Sequence, residues 1–194
     1  MSDVLLAEHL PSVYFVGKAG AGKTYSANYL KEKYHYVQSK FAYPVYNLAY
    51  NYFDMKGKDR GLLQLIGTDI GRRNIRDSIW VDRFKEDIRI VQETYKKLNG
   101  EHIRFVSDDV RFPNEHQALK EMGWLGIYLD VADSIRIRRL TGRDGDAQVN
   151  TLNHCSETSI DLFKNELIQV DSSGSLDETY ANIEEVLKGF TGGL

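Results

Sequence analysis

The chain has 194 residues, of which 42% are hydrophobic and 27% charged, and its formal net charge is −3. This length supports one well-buried core and is short for two domains of ordinary size, so we expect a single domain over residues 1–194. The small net negative charge gives the protein no overall positive field, and we therefore expect no nucleic-acid partner.

Cys155 is the single cysteine, which excludes an internal disulfide and suits a reducing compartment. No activating motif surrounds this thiol, so an inert side chain is favoured over a nucleophile. Residues 1–11 are acidic and lack the apolar core of a signal peptide, and no apolar run reaches membrane-spanning length. We expect a protein of the cytoplasm with no membrane partner.

Residues 12–16 are the first predicted strand, because they are a run dominated by apolar β-formers. The following eight residues are rich in glycine, and residues 25–34 contain neither glycine nor proline, which predicts a helix. The order strand, loop, helix defines a unit over residues 12–34, and its strand is expected near the centre of a parallel sheet.

The loop fills the phosphate-binding pattern G-x-x-x-x-G-K-[ST] at every fixed position. Its glycines allow successive amide groups to point inward, and the helix N-terminus adds a partial positive charge. We therefore predict binding of a nucleoside triphosphate rather than an inert glycine-rich turn, with contacts from Gly17, Lys18, Ala19, Gly20, Ala21, Gly22, Lys23 and Thr24. The pattern assigns Lys23 to the β and γ phosphates and the Thr24 hydroxyl to Mg²⁺.

The chain from 35 to 98 is predicted to be mostly helical. A short strand at 35–39 is followed by a helix from Pro44 to about Phe53 and by a charged connector. The next predicted helix covers 60–70, with an apolar side made of Leu62, Leu63, Leu65 and Ile66. A longer helix is predicted over 78–98, because apolar residues recur there at intervals of three and four positions. They are Val81, Phe84, Ile88, Val91, Tyr95 and Leu98.

The remaining chain alternates strands and helices. Strands are predicted at 102–107, 124–131 and 166–170, and helices at 113–122, 134–140, 154–163 and 176–187. Residues 141–146 are polar, contain two glycines and are expected to be flexible, so that residues 134–150 would form a closing lid. The alternation predicts an α/β three-layer phosphate-loop NTPase sandwich with a parallel sheet.

Asp108 and Asp109 follow a predicted strand at the carboxyl edge of the sheet. A carboxylate there can hold a magnesium ion or contact an acceptor, and we assign Asp108 to the metal together with Thr24. The simpler alternative is that one of the pair only caps the next turn.

Arginines cluster in two stretches of the sequence. Phosphoryl transfer needs positive charge on both the moving phosphoryl group and the acceptor phosphate, and the planar guanidinium suits both tasks. About half of such residues are expected to be ordinary solvated charges. The clusters are Arg60, Arg72, Arg73 and Arg76, and Arg136, Arg138, Arg139 and Arg143.

Several motifs together resemble the phage-type deoxynucleoside monophosphate kinases. In order, they are Arg60-x-x-x-Gln64-x-x-Gly67-Thr68-Asp69, Trp80-Val81, Asp109-Val110-Arg111 with Glu115, His154-x-Ser156-Glu157, and Gly174-Ser175-Leu176. Each motif alone is weak evidence for the family. The specific evidence is that all of them occur in the same order, from about residue 60 to 188.

The resemblance implies a nucleoside monophosphate kinase-like fold that transfers the γ-phosphate of ATP to a deoxynucleoside 5′-monophosphate, with Mg²⁺ as cofactor. Residues 41–80 would then be the acceptor segment. The implied acceptor contacts are Phe41, Arg60, Gln64, Arg72, Trp80, Asp109 and Arg111, and the implied catalytic residues are Lys23, Asp109, Arg139 and Arg143. Relatives make a homodimer plausible, and a phage origin would place the protein in the host cytoplasm.

Three other functions fit the same phosphate loop. Two are kinases, acting on dephospho-coenzyme A or on the 5′-hydroxyl of a polynucleotide. The third is an ATPase or regulatory switch that works through a protein partner, which would leave both arginine clusters without a role.

Overall fold

The computed structural model describes residues 10–144 and 159–191. The chain divides into two compact units. The sheet unit consists of residues up to Gln38 and from Arg104 onward, and the helical unit is the segment between them, Ser39–Ile103. The helical unit includes the whole of the predicted acceptor segment, and the single-domain expectation stays a prediction.

Among the described residues, the sheet unit has five parallel strands in the order β2-β3-β1-β4-β5. The strands are β1 (Val13–Val16), β2 (Val37–Gln38), β3 (Phe105–Ser107), β4 (Leu125–Asp130) and β5 (Ile168–Asp171). The central position predicted for β1 is confirmed, since it pairs with β3 on one side and β4 on the other.

Helices cover both faces of this sheet. The helices of the sheet unit are α1 (Lys23–Tyr34), α5 (Pro113–Glu121), α6 (Asp133–Asp144) and α7 (Leu176–Thr191), with 3₁₀ turns at Ser159–Leu162 and Lys164–Glu166. Phe15 packs in one core with Leu30 of α1 and Ile183 of α7. On the opposite face the Tyr14 hydroxyl is hydrogen-bonded to His116 of α5, at 2.9 Å. The three-layer α/β architecture predicted from the sequence is confirmed.

Glu184 joins α7 to α1 through several polar contacts. Its carboxylate accepts hydrogen bonds from Lys33 and Tyr29, and from the Tyr34 hydroxyl at 2.9 Å. Partial burial alone would raise the pKa of Glu184, but these donors outweigh that effect and lower it to about 2. The ionised carboxylate therefore fixes α1, the helix that begins at the phosphate loop.

The helical unit contains α2 (Tyr43–Tyr52), α3 (Arg60–Gln64), a π-helix (Leu65–Ile75) and α4 (Ile79–Asn99). The helix predicted over 60–70 is present, but the backbone widens into a π-helix at Leu65. This change ends the 3.6-residue period, and Leu65, predicted on the apolar side, is 47% exposed while Ile66 is buried.

The apolar face predicted for α4 is buried only in its first half. Val81, Phe84 and Ile88 are buried, whereas Val91 and Leu98 are 40% and 78% exposed. The spacing identified the helix correctly, but apolar spacing cannot show how much of a helix is covered by its neighbours.

Two further predictions need correction. The strand predicted to begin at 102 begins at Phe105, because β2, its outer neighbour, pairs only through Val37 and Gln38. Residues 141–144, predicted to be flexible, continue α6. Residues 145–150 of the predicted lid, together with Cys155 and the His154-x-Ser156-Glu157 motif, lie outside the described residues.

Candidate nucleotide-phosphate site

The glycine-rich segment forms a loop between β1 and α1, as predicted. Gly20 and Gly22 have φ angles of +85° and +96°, a region that side chains with a Cβ rarely occupy. Gly20 also lies against α6, because a Cβ at this position would come within 2.7 Å of the carbonyl oxygen of Arg136. The Ala21 amide donates to the Lys18 carbonyl at 3.1 Å and closes the turn.

Lys23 is the first residue of α1, and its side chain returns to the loop. The ammonium donates to the backbone carbonyls of Gly17 and Lys18, the latter at 3.2 Å. The positive charge therefore lies against the loop backbone, where the oxygens of a bound phosphate would compete with these carbonyls for it.

Thr24 and Asp108, predicted as the metal pair, are brought together by the fold. The Thr24 hydroxyl donates to Oδ2 of Asp108 at 2.8 Å, across 84 residues of sequence. Asp108 directly follows β3 and is 5% exposed, whereas Thr24 is exposed. A buried carboxylate next to an exposed hydroxyl, both beside the phosphate loop, is the oxygen donor pair that Mg²⁺ needs from a protein that also binds phosphate.

No group of three or more His, Cys, Asp or Glu side chains that could hold a metal occurs in the described part of the chain. A magnesium ion held by Thr24 and Asp108 would therefore need phosphate oxygens and water as its other ligands. The residues fit a metal that arrives with its nucleotide rather than a permanently bound ion.

Gln38, which the sequence interpretation missed, contacts the same carboxylate. Its Nε2 donates to Oδ1 of Asp108 at 3.0 Å. No local pattern marks this residue, because the contact joins the ends of two strands separated by 70 positions.

Asp109 and Arg111 lie beyond β3 in the loop that leads to α5. The Ser107 hydroxyl donates to Asp109 at 3.0 Å. The backbone amide of Arg111 donates to Glu115 at 2.7 Å, and Glu115 is buried at the start of α5, where it also accepts from the Phe112 amide. Glu115 therefore fixes the backbone from which the exposed Arg111 side chain projects.

The arginines of α6 occupy different environments. Arg136 is buried, and its Nε donates at 2.6 Å to Asp133, which lies 3.9 Å from the ammonium of Lys18. The hydrogen bond from Arg136, together with the positive charges of Arg136 and Lys18, lowers the pKa of Asp133. The first turn of α6 is thus linked to the phosphate loop by charge as well as by packing.

Arg139 and Arg143 were the two predicted catalytic residues of the lid. Arg139 donates to the carbonyl of Gly174 at 2.8 Å, in the loop between β5 and α7. Arg143 belongs to the last turn of α6, and its side chain lies outside the described residues. Contact of either residue with a transferred phosphoryl group stays a prediction.

The predicted acceptor residues of the helical unit fall into two groups. Arg60 and Gln64 are exposed at the two ends of α3, and Arg72 in the π-helix donates to the Asp77 carbonyl at 3.2 Å. The aromatic pair is buried. Phe41 stacks on Phe84, with ring centroids 4.1 Å apart, and the Trp80 indole donates to the Gly67 carbonyl at 2.7 Å.

Comparison with families of known proteins finds no family model that matches this chain. A curated relative is named "Putative deoxynucleotide monophosphate kinase" and comes from Acanthamoeba polyphaga mimivirus. The two sequences are 26% identical in an alignment 191 positions long, which covers 87% of this chain and 91% of the relative.

A similar solved structure is TT1252 from Thermus thermophilus, with a TM-score of 0.58 and 18% sequence identity. The similarity covers 93% of this chain and 98% of the other. Identity at this level establishes the α/β fold and nothing of the chemistry. No helix of the described residues has both the length and the apolar character needed to cross a membrane.

Proposed function

We propose that this protein is an ATP-dependent kinase that transfers the γ-phosphate of ATP to a deoxynucleoside 5′-monophosphate and produces the diphosphate. The observation that carries the proposal is the arrangement of Lys23, Thr24 and Asp108 around one phosphate loop. The name of the viral relative, whose sequence is similar over most of both chains, supports kinase-type transfer and points to the acceptor class.

On the donor side, the loop amides and Lys23 bind the β and γ phosphates. Lys23 exchanges the carbonyls of Gly17 and Lys18 for phosphate oxygens, so the lysine is already placed before ATP arrives. A magnesium ion held by Thr24 and Asp108 would neutralise charge on those oxygens.

The transfer proposed is a direct in-line displacement without a covalent enzyme intermediate. The bond between the γ phosphorus and the bridging oxygen breaks, a bond to an acceptor phosphate oxygen forms, and ADP leaves. The acceptor phosphate is already ionised, so no strong general base is required. The chain's task is to hold both phosphates and exclude water, and for the second task we propose closure of residues 134–150.

On the acceptor side, we propose that Arg60, Arg72 and Arg111 bind the monophosphate. Gln64 and Asp109 would contact the rest of the nucleotide. Phe41 and Trp80 would support the base site from within the core of the helical unit, since both side chains are buried. Arg139 and Arg143 are proposed to stabilise the transferred phosphoryl group, and a homodimer is the proposed assembly.

A substrate panel tests this function directly. The purified protein is incubated with ATP, Mg²⁺ and, separately, each deoxynucleoside and ribonucleoside monophosphate, dephospho-coenzyme A and 5′-hydroxyl DNA. The proposal expects a diphosphate product from at least one deoxynucleoside monophosphate. Phosphorylation confined to dephospho-coenzyme A or DNA would assign the site to another kinase, and ATP hydrolysis without any phosphorylated acceptor would refute the kinase function.

A further inference from the structure

Gln38 ends β2 and is the last residue of the sheet unit before the chain enters the helical unit. Its side-chain amide joins two charged groups. Lys31 of α1 donates to Oε1 of Gln38 at 3.3 Å, and Nε2 of Gln38 donates to Oδ1 of Asp108 at 3.0 Å. Nothing in the proposed chemistry requires an amide at this position.

The orientation of this amide is determined from both ends. An ammonium can only donate, so Lys31 requires the oxygen of the amide, and an ionised carboxylate can only accept, so Asp108 requires the nitrogen. The reversed amide would place two donors together at Lys31 and two acceptors together at Asp108. Lys31 is itself held by Asn28, to which it donates at 3.2 Å.

The two oxygens of the Asp108 carboxylate have different partners. Gln38 holds Oδ1, and the Thr24 hydroxyl contacts Oδ2. Asp108 is 5% exposed, so water cannot readily replace a lost amide donor, and a buried carboxylate that loses a donor tends to rotate toward another one. Rotation would move Oδ2 away from Thr24.

We propose that Gln38 is a positioning residue for the magnesium site. It sets the rotamer of Asp108 that directs Oδ2 to Thr24, so that both oxygen ligands are aligned before the metal binds. The inference rests on the proposed binding of a magnesium nucleotide at the phosphate loop and is independent of the acceptor. Residues that orient metal ligands typically change metal affinity or activity about 10- to 100-fold when they are replaced.

The test is the variant Gln38→Leu, which keeps a side chain of similar size and removes the amide. ATP affinity is measured by calorimetry in excess EDTA and in excess Mg²⁺, with full-length protein. We expect affinity in EDTA within about 2-fold of wild type, because the phosphate loop is unchanged, and an affinity gain from Mg²⁺ that is reduced about 10-fold. Affinity of the ATP complex for Mn²⁺, followed by electron paramagnetic resonance, should fall by a similar factor.

Two variants keep the test independent of general effects on folding. Within the described residues, the Gln169 amide donates to the backbone carbonyls of Lys164 and Leu167. Gln169→Leu removes this amide and should leave the magnesium gain unchanged. Lys31→Met leaves Gln38 in place but removes one of the two groups that orient its amide. It should reduce the magnesium gain about 2- to 3-fold, the effect of losing a partly exposed hydrogen bond.

The outcomes separate this inference from the proposed function. If wild-type protein binds ATP with a magnesium gain and Gln38→Leu shows the same gain, the role of Gln38 is refuted and the phosphate site stands. Equal losses in EDTA and in Mg²⁺ would also refute it, because they would show damage to the loop instead of the metal site. Failure of wild-type protein to bind ATP under either condition would overturn both proposals.

Discussion

Replacing Gly20 with alanine tests how the phosphate loop is supported by α6. A Cβ at residue 20 would lie 2.7 Å from the carbonyl oxygen and 3.1 Å from the Cβ of Arg136. These atoms belong to a helix and cannot turn aside as the end of a side chain can. Steric crowding of this kind costs about 1–3 kcal/mol, and a left-handed alanine adds about 1–2 kcal/mol. Gly20→Ala should therefore lower the free energy of unfolding by about 2–5 kcal/mol.

Gly22→Ala is the matched control for this variant. Gly22 has a similar φ of +96°, but a Cβ there would meet no atom within 4 Å. Its expected loss is the backbone strain alone, about 1–2 kcal/mol. Urea unfolding followed by circular dichroism measures both variants. A Gly20→Ala loss no larger than that of Gly22→Ala would refute the close packing of the loop against α6.

Three further variants test the site and its scaffold. Lys23→Met should reduce phosphoryl transfer at least about 100-fold with little change in melting temperature, and near wild-type transfer would contradict the phosphate-loop assignment. Arg111→Ala should raise KM for the monophosphate about 10-fold or more, because one charge-assisted contact with the phosphate is lost, and should leave KM for ATP unchanged. The control is Arg89→Ala, which removes an exposed arginine of α4 and should change neither KM. Glu184→Gln should lower the free energy of unfolding by about 1–2 kcal/mol at pH 7. The pKa of Glu184 in the folded state is depressed to about 2. The stabilisation that its carboxylate provides is therefore present above the pKa of the unfolded state and is lost as pH falls through the pKa of the folded state. The difference in unfolding free energy between Glu184→Gln and wild type should therefore shrink below about pH 5. A difference that does not change with pH would contradict this role of Glu184. The same loss in Glu185→Gln, a change at the exposed neighbouring residue, would also contradict it.

The phosphate loop was predictable because its groups are consecutive in sequence. Residues 17–24 carry the glycines, the lysine and the threonine within eight consecutive positions, and composition alone predicts the strand before them and the helix after them. Asp108 required one additional step, namely that a carboxylate at the end of a parallel strand lies at the ligand-binding edge of the sheet. The 2.8 Å contact with Thr24 agrees with that reasoning.

The contacts of Gln38 and Arg136 could not be predicted in this way. Each joins the site to an element that is distant in sequence, and neither residue belongs to a motif. The local sequence pattern also does not predict the π-helix over Leu65–Ile75, because the first few of its apolar residues still fit an α-helical period. Sequence patterns therefore identified the chemical groups, and the fold was needed to show what holds them.

The buried aromatics illustrate the same distinction. Phe41 and Trp80 are among the acceptor contacts that the resemblance implies, and the structure gives each a packing role within the helical unit. Trp80 also explains a glycine, because a Cβ on Gly71 would come within 2.6 Å of the indole. Their contribution to a base site is proposed to be support for other residues of the acceptor segment.

The most direct measurement for the central claim follows the γ-phosphate itself. With ATP labelled at the γ-phosphate, excess Mg²⁺ and a deoxynucleoside monophosphate identified by the substrate panel, the products are separated and the label is located. We predict that the label appears in the deoxynucleoside diphosphate in a one-to-one ratio with ADP. Label found only in inorganic phosphate, with no labelled acceptor, would contradict the account.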